Sequence, residues 1–160
     1  MLNAARLMVL GFVLTCLASP LLAGIPSCTI NQAGAQVDPT NVASIDFTVT
    51  FSEDVTGFNT TGVDVSSSSA PGVSVASVTG GPAIYTVTVN GMTGSGVVIA
   101  TVLANSAVSV STAENNTAST STDNQVTYDI TSPTVTVSLA VGQNDPTNNA
   151  TINFRVPFSE

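Results

Sequence analysis

The sixteen residues DPTNVASIDFTVTFSE, 38–53, return 107 positions later as DPTNNATINFRVPFSE, 145–160. Extended upstream, the match pairs Pro26–Glu53 with Pro133–Glu160 without a gap and keeps fifteen of twenty-eight residues, far beyond chance. A chain that repeats at this interval is built from units of about a hundred residues, too long a period for solenoid repeats of roughly 20 to 50 residues. The 160 residues hold one such unit and the opening of another. The expected organisation is a domain over 26–132 and a truncated second copy over 133–160, the front end of a longer array.

The kept residues show what the repeat is for. Ala43, Ile45, Phe47, Val49 and Phe51 alternate with Ser44, Asp46, Thr48, Thr50 and Ser52, the period of two that marks a strand with one face in a core. In the second copy every apolar position is unchanged, as Ala150, Ile152, Phe154, Val156 and Phe158, whereas the outer face becomes Thr151, Asn153, Arg155 and Pro157. Core packing is therefore the shared content. Pro157 within this strand predicts a bulge or an edge position. Upstream, DPTN is turn chemistry, with Asp38 and Pro39 expected at the corner.

Between the copies, TTGVDVSS, PGVSVASV, AIYTVTVNGM, SGVVIATVL and STDNQVTYDI are short β-branched runs separated by Gly, Pro, Asn and Ser; none carries a helical period. With SCTINQ and the strand from Ala43 they predict an all-β fold of about seven strands, the count and spacing of an immunoglobulin-like β-sandwich, followed by the first two strands of the incomplete copy. The segments VTFSEDVTGFNTTGVDV, AIYTVTVNGMTGSGVVIATV and ENNTASTSTDNQVTYDITSPTVTV together resemble the bacterial Ig-like domains found in tandem in secreted or surface proteins, often adhesins. The resemblance covers 26–132 and again 133–160. It implies a sandwich module that spaces or presents neighbouring domains, usually without catalysis.

Residues 1–24 read as a secretory signal: MLNAAR with one cation, an apolar run from Leu7 to Ala18, then Pro20 and small residues for cleavage. The expected location is secreted or cell-surface, with no membrane association beyond that signal. Cys16 falls in the signal, leaving Cys28 alone in the mature chain without a partner for a disulfide. The repeat places Val135 over Cys28, so the plainer reading of this thiol is a small buried apolar residue.

The chemistry open to the chain is narrow. Two cations, Arg6 and Arg155, against ten acids give no basic patch for nucleic acid, whose binding is driven by clustered Lys and Arg. Histidine and lysine are absent, so a Ser or Cys nucleophile has no usual base and zinc no usual ligand set. Glu53 and Asp54 are adjacent and tend to point to opposite sides of a strand; the chain is not expected to be an enzyme. Calcium takes hard oxygen ligands, and Asp129 in the junction and Glu160 at the end of the second repeated strand are candidates to hold it, against a plainer reading as solvated polar residues. The loop TAENNTAST, 112–120, reads as an Asn-rich turn more readily than as a ligand loop. Asn59, Asn115 and Asn149 fit N-x-Ser/Thr. Two functions follow: a structural or adhesive repeat module whose partners are neighbouring repeats and an extracellular ligand, or a stand-alone secreted binding protein acting through sheet edges or loops.

Overall fold

The computed structural model describes residues 24–159; residues 1–23 of the expected leader, and Glu160, lie outside them. Among the described residues the regular structure is β apart from one 3-10 turn at Thr60–Gly62. In chain order the strands are β1 (Cys28–Gln32), β2 (Ile45–Phe51), β3 (Val55–Thr56), β4 (Val63–Asp64), β5 (Ser74–Gly80), β6 (Ile84–Asn90), β7 (Gly96–Ile99), β8 (Thr101–Val102), β9 (Val108–Ser109), β10 (Gln125–Tyr128), β11 (Ser138–Leu139) and β12 (Phe154–Arg155).

The repeated strand becomes β2, at the interior of an antiparallel sheet ordered β1-β2-β6-β5. Its alternation does what the pattern requires: Ile45, Phe47 and Val49 are wholly buried and Phe51 nearly so, beside Val87 and Val89 of β6 and Ile30 of β1. Ala43 is exposed, so the inward face begins two residues later than the alternation suggests. Opposite this sheet run the antiparallel ladders β4–β8, β7–β10 and β3–β9. They give Val63, Val98, Ala100, Val102 and Val126 to the same apolar core. The arrangement is all-β with antiparallel sheets, consistent with a β-sandwich.

The FSEDVTGF segment closes one side of that core. Phe51, Phe58 and Tyr85 meet edge-to-face, with ring centroids 5.2 to 5.9 Å apart, the geometry that sets the positive edge of one ring against the negative face of another. Gly57 between them has φ +84°, a backbone state that side-chain-bearing residues avoid. Spacing in this segment thus serves packing.

The chain bends at Asp38 and Pro39, where the corner is expected, and DPTN does more than turn. The hydrogen-bonded turn lies earlier, where the Gln36 N–H donates to Ala33 O at 2.8 Å. Asp38 Oδ1 instead accepts the Thr127 N–H at 2.9 Å. Thr40 forms a parallel bridge with Tyr128, its N–H donating to Thr127 O at 2.9 Å while Asp129 N–H donates to Thr40 O at 2.8 Å. The motif docks the early chain onto the last strand of the domain.

The second copy is laid down in the register of the first. Ser138↔Arg155, Leu139↔Phe154 and Val135↔Phe158 stand where Asn31↔Thr48, Gln32↔Phe47 and Cys28↔Phe51 stand in copy one. Local hydrogen bonds recur as well: Gln36 Oε1 accepts Asp46 N–H at 2.9 Å, and Gln143 Oε1 accepts Asn153 N–H at 3.1 Å. The difference is cover. Phe47 is 0% exposed and Phe154 59%, and no residue of 133–159 belongs to the buried core. Pro157 also shortens the pairing: it accepts from Thr136 N–H through its carbonyl but has no N–H to return. Among the described residues β12 pairs with β11 alone, and Pro157 lies just beyond β12.

Candidate functional site

The acid just past β2 is held. Glu53 Oε2 accepts hydroxyl hydrogen bonds from Ser109 at 2.6 Å and Ser111 at 2.7 Å, and the Asp54 carbonyl accepts Val110 N–H at 2.9 Å. Ser109 is itself buried and its Oγ takes the N–H groups of Ser111 and Thr112. This fixes the loop after β9 against the end of the repeated strand. The sequence does not show that role, because the partners come from a loop 56 and 58 residues away.

Hydrogen bonds from Ser109 and then Ser111 favour the ionised form and hold the Glu53 carboxyl below its ordinary range. Thr131 and then Ser95 do the same for Asp129. A carboxyl depressed in the folded state supports folding above its unfolded pKa, and that support is lost as pH falls through the folded value. Thermal unfolding followed by circular dichroism should therefore show a falling Tm below the ordinary carboxylate range of about 4. Glu53→Gln should flatten that acid limb; an acid limb identical to the parent's would remove Glu53 from the account.

Asp129, one of the two calcium candidates, sits directly after β10. Its Oδ1 accepts Thr131 N–H at 2.9 Å and the Ser95 hydroxyl at 3.1 Å, while Ser95 Oγ accepts Ile130 N–H at 2.9 Å. The carboxylate folds the junction chain back on Ser95. Its proposed companion Glu160 lies outside the described residues. Among the described residues no three or more of His, Cys, Asp and Glu gather where they could hold a metal ion. The depression lined by Val37, Pro39, Thr40, Val42 and Asp129 is shallow and open.

Cys28 is buried, with its thiol 3.7 Å from Thr117 O. Burial raises its pKa, against a smaller lowering by Asn116, so the thiolate needed for reactivity is disfavoured. Asn59 caps the 3-10 turn, its Oδ1 accepting Thr61 N–H at 2.9 Å. Asn115 bridges to Val108.

The residue that organises the Asn-rich loop is one that the sequence does not distinguish from its neighbours. Asn116 is 2% exposed. Its Oδ1 accepts Ser106 N–H at 2.8 Å and Ala107 N–H at 2.7 Å, and its Nδ2 donates to Leu103 O at 3.0 Å and Thr117 O at 2.7 Å. Both ends of the amide are thus used. Nothing in NNTAST says which asparagine turns inward.

No family model matches this chain, and no curated protein or solved structure is significantly similar to it.

Proposed function

We propose that residues 26–132 form an immunoglobulin-like module of an exported bacterial protein, non-catalytic, which spaces neighbouring domains or presents a surface for adhesion. The observation that carries this reading is strand order. One sheet runs β1-β2-β6-β5; β7 and β8 are one run broken at Ala100, flanked by β4 and β10. Lettered along the chain with the short β3–β9 ladder set aside, that order is compatible with the ABED and CFG sheets of a seven-stranded constant-type immunoglobulin domain, which supports the reading. The parallel bridge between Thr40 and Tyr128 adds a short contact between the early chain and the last strand.

Composition supports the same reading. Without His or Lys the chain has few means of proton transfer near neutrality, and Glu53, Asn116 and Asp129 are engaged in holding loops. Export follows from the apolar run Leu7 to Ala18, and the partners would be neighbouring repeats and an extracellular ligand. Mass spectrometry of the chain expressed in a bacterium with an intact export pathway should find it outside the cytoplasm, starting between residues 19 and 25. Limited proteolysis should then leave a fragment close to 26–132. Cytoplasmic protein retaining Met1, or cleavage inside 45–102 at the rate of the junction, would overturn the reading.

A further inference from the structure

VNGM, residues 89–92, holds the one Asn-Gly pair in the chain. Such a pair carries a nucleophile and its electrophile on adjacent residues: the Gly91 main-chain nitrogen can close a five-membered ring on Asn90 Cγ, an attack within one molecule that needs no positioned second reactant. Glycine shields that nitrogen least. A fold protects an asparagine when it bonds the N–H of the next residue.

At Asn90 the ladder ends before it can do so. β2 and β6 pair as far as Ile45↔Val89, and Gly91 would stand opposite Ala43, which lies outside β2. Among the described residues the Gly91 N–H makes no hydrogen bond. Asn105 and Ser106 show the opposite case, for Ser106 N–H is held by Asn116 Oδ1 at 2.8 Å. The electrophile is prepared as well. Asn90 is exposed, and Ser74 Oγ lies 3.2 Å from its Oδ1 and 3.5 Å from its main-chain O, so the hydroxyl polarises the side-chain carbonyl and stabilises the oxyanion that forms on attack.

We propose that Asn90 is a site of spontaneous modification, converted through a cyclic imide to isoaspartate and aspartate with assistance from the Ser74 hydroxyl. The Gly91 nitrogen gives its proton to solvent and bonds to Asn90 Cγ; the Cγ–Nδ2 bond breaks, and Nδ2 takes a proton from solvent and leaves as ammonia. Water then opens the ring. Addition at Cγ breaks the new bond and leaves aspartate, whereas addition at the main-chain carbonyl carbon leaves isoaspartate, with the chain running through Cβ and Cγ. The second product meets a crowded place. A Cβ on Gly91 would stand 2.6 Å from Gly72 O, and one on Gly72 2.5 Å from Gly91 O, so an added main-chain methylene forces these two stretches apart and strains the neighbouring bond from Thr93 N–H to Pro71 O. Every group involved lies within 43–116, and the step needs neither the immunoglobulin-like reading nor any chain beyond 132.

The test ages the full chain in mildly alkaline buffer and follows the chymotryptic peptide 86–92, TVTVNGM, by mass spectrometry with electron-transfer fragmentation. Asn90 should lose its amide before any other asparagine, isoaspartate should outweigh aspartate, and hydroxylamine added during ageing should cleave the chain between residues 90 and 91. Asn90→Gln should remove both signals. Ser74→Ala should slow the conversion about three- to tenfold, the effect of one hydrogen bond, and in urea, where that contact is gone, variant and parent should age alike. Amide exchange at Thr93 should quicken in the aged chain. Another asparagine converting first, an aged chain with Asn90 intact, or Ser74→Ala ageing at the parent's rate in native buffer would each overturn the assignment.

Discussion

Phe47→Ala is expected to cost about 3 to 5 kcal/mol of unfolding free energy and Phe154→Ala less than about 0.5, measured by urea denaturation of the full chain. The two phenylalanines occupy the same place in the same repeated segment and the same register. Removing the first leaves a cavity between β1 and β6, lined by side chains as buried as itself, and a close-packed interior relaxes only in part around such a void. Removing the second takes away a ring that is 59% exposed and packs against no core. The denaturant slope should stay constant for both, since neither change alters the surface exposed on unfolding. Equal costs would mean that the hairpin 133–159 is covered in solution.

Asn116→Ala should be comparably severe, about 3 to 5 kcal/mol, for a different reason. The substitution strips the acceptor from the Ser106 and Ala107 N–H groups and one of two donors from each of the carbonyls of Leu103, which keeps the Ser106 hydroxyl, and Thr117, which keeps the Cys28 thiol; each buried polar group left unpaired costs roughly 1 to 3 kcal/mol. Asn116→Asp separates the halves of the network: its carboxylate can still accept from Ser106 and Ala107 but turns a second oxygen toward Leu103 O and Thr117 O. That variant should be unstable at neutral pH and recover in part as acid restores a donor. Thermal unfolding across pH 7 to pH 4 reads the difference; a variant as stable as the parent at every pH would show the amide to be dispensable.

Period-two patterning made the strands of this chain legible. Ile45 to Phe51, Ile84 to Asn90 and Gln125 to Tyr128 fall where alternation and turn residues put them, because a half-buried strand writes its burial directly into every second residue. The two-residue ladder of β3 with β9 is too short to write any period. The candidate sites were less legible, since Glu53 and Asn116 owe their roles to hydroxyls and main-chain groups that any loop sequence carries. Asp38 illustrates the same limit: Asp-Pro reads as a corner, yet its carboxylate serves Thr127, 89 residues away.

That docking of 38–40 against 127–129 bears on how the domain would carry a mechanical load. The two stretches run parallel at the Thr40–Tyr128 bridge, so tension pulling the early chain one way and the chain beyond Asp129 the other slides them along their length. The three bonds from Thr127, Thr40 and Asp129 are then strained together, whereas an antiparallel ladder peeled from its open end gives way one bond at a time. A tug along the chain meets this short parallel seam as a latch in shear, close to where one copy of the repeat hands over to the next.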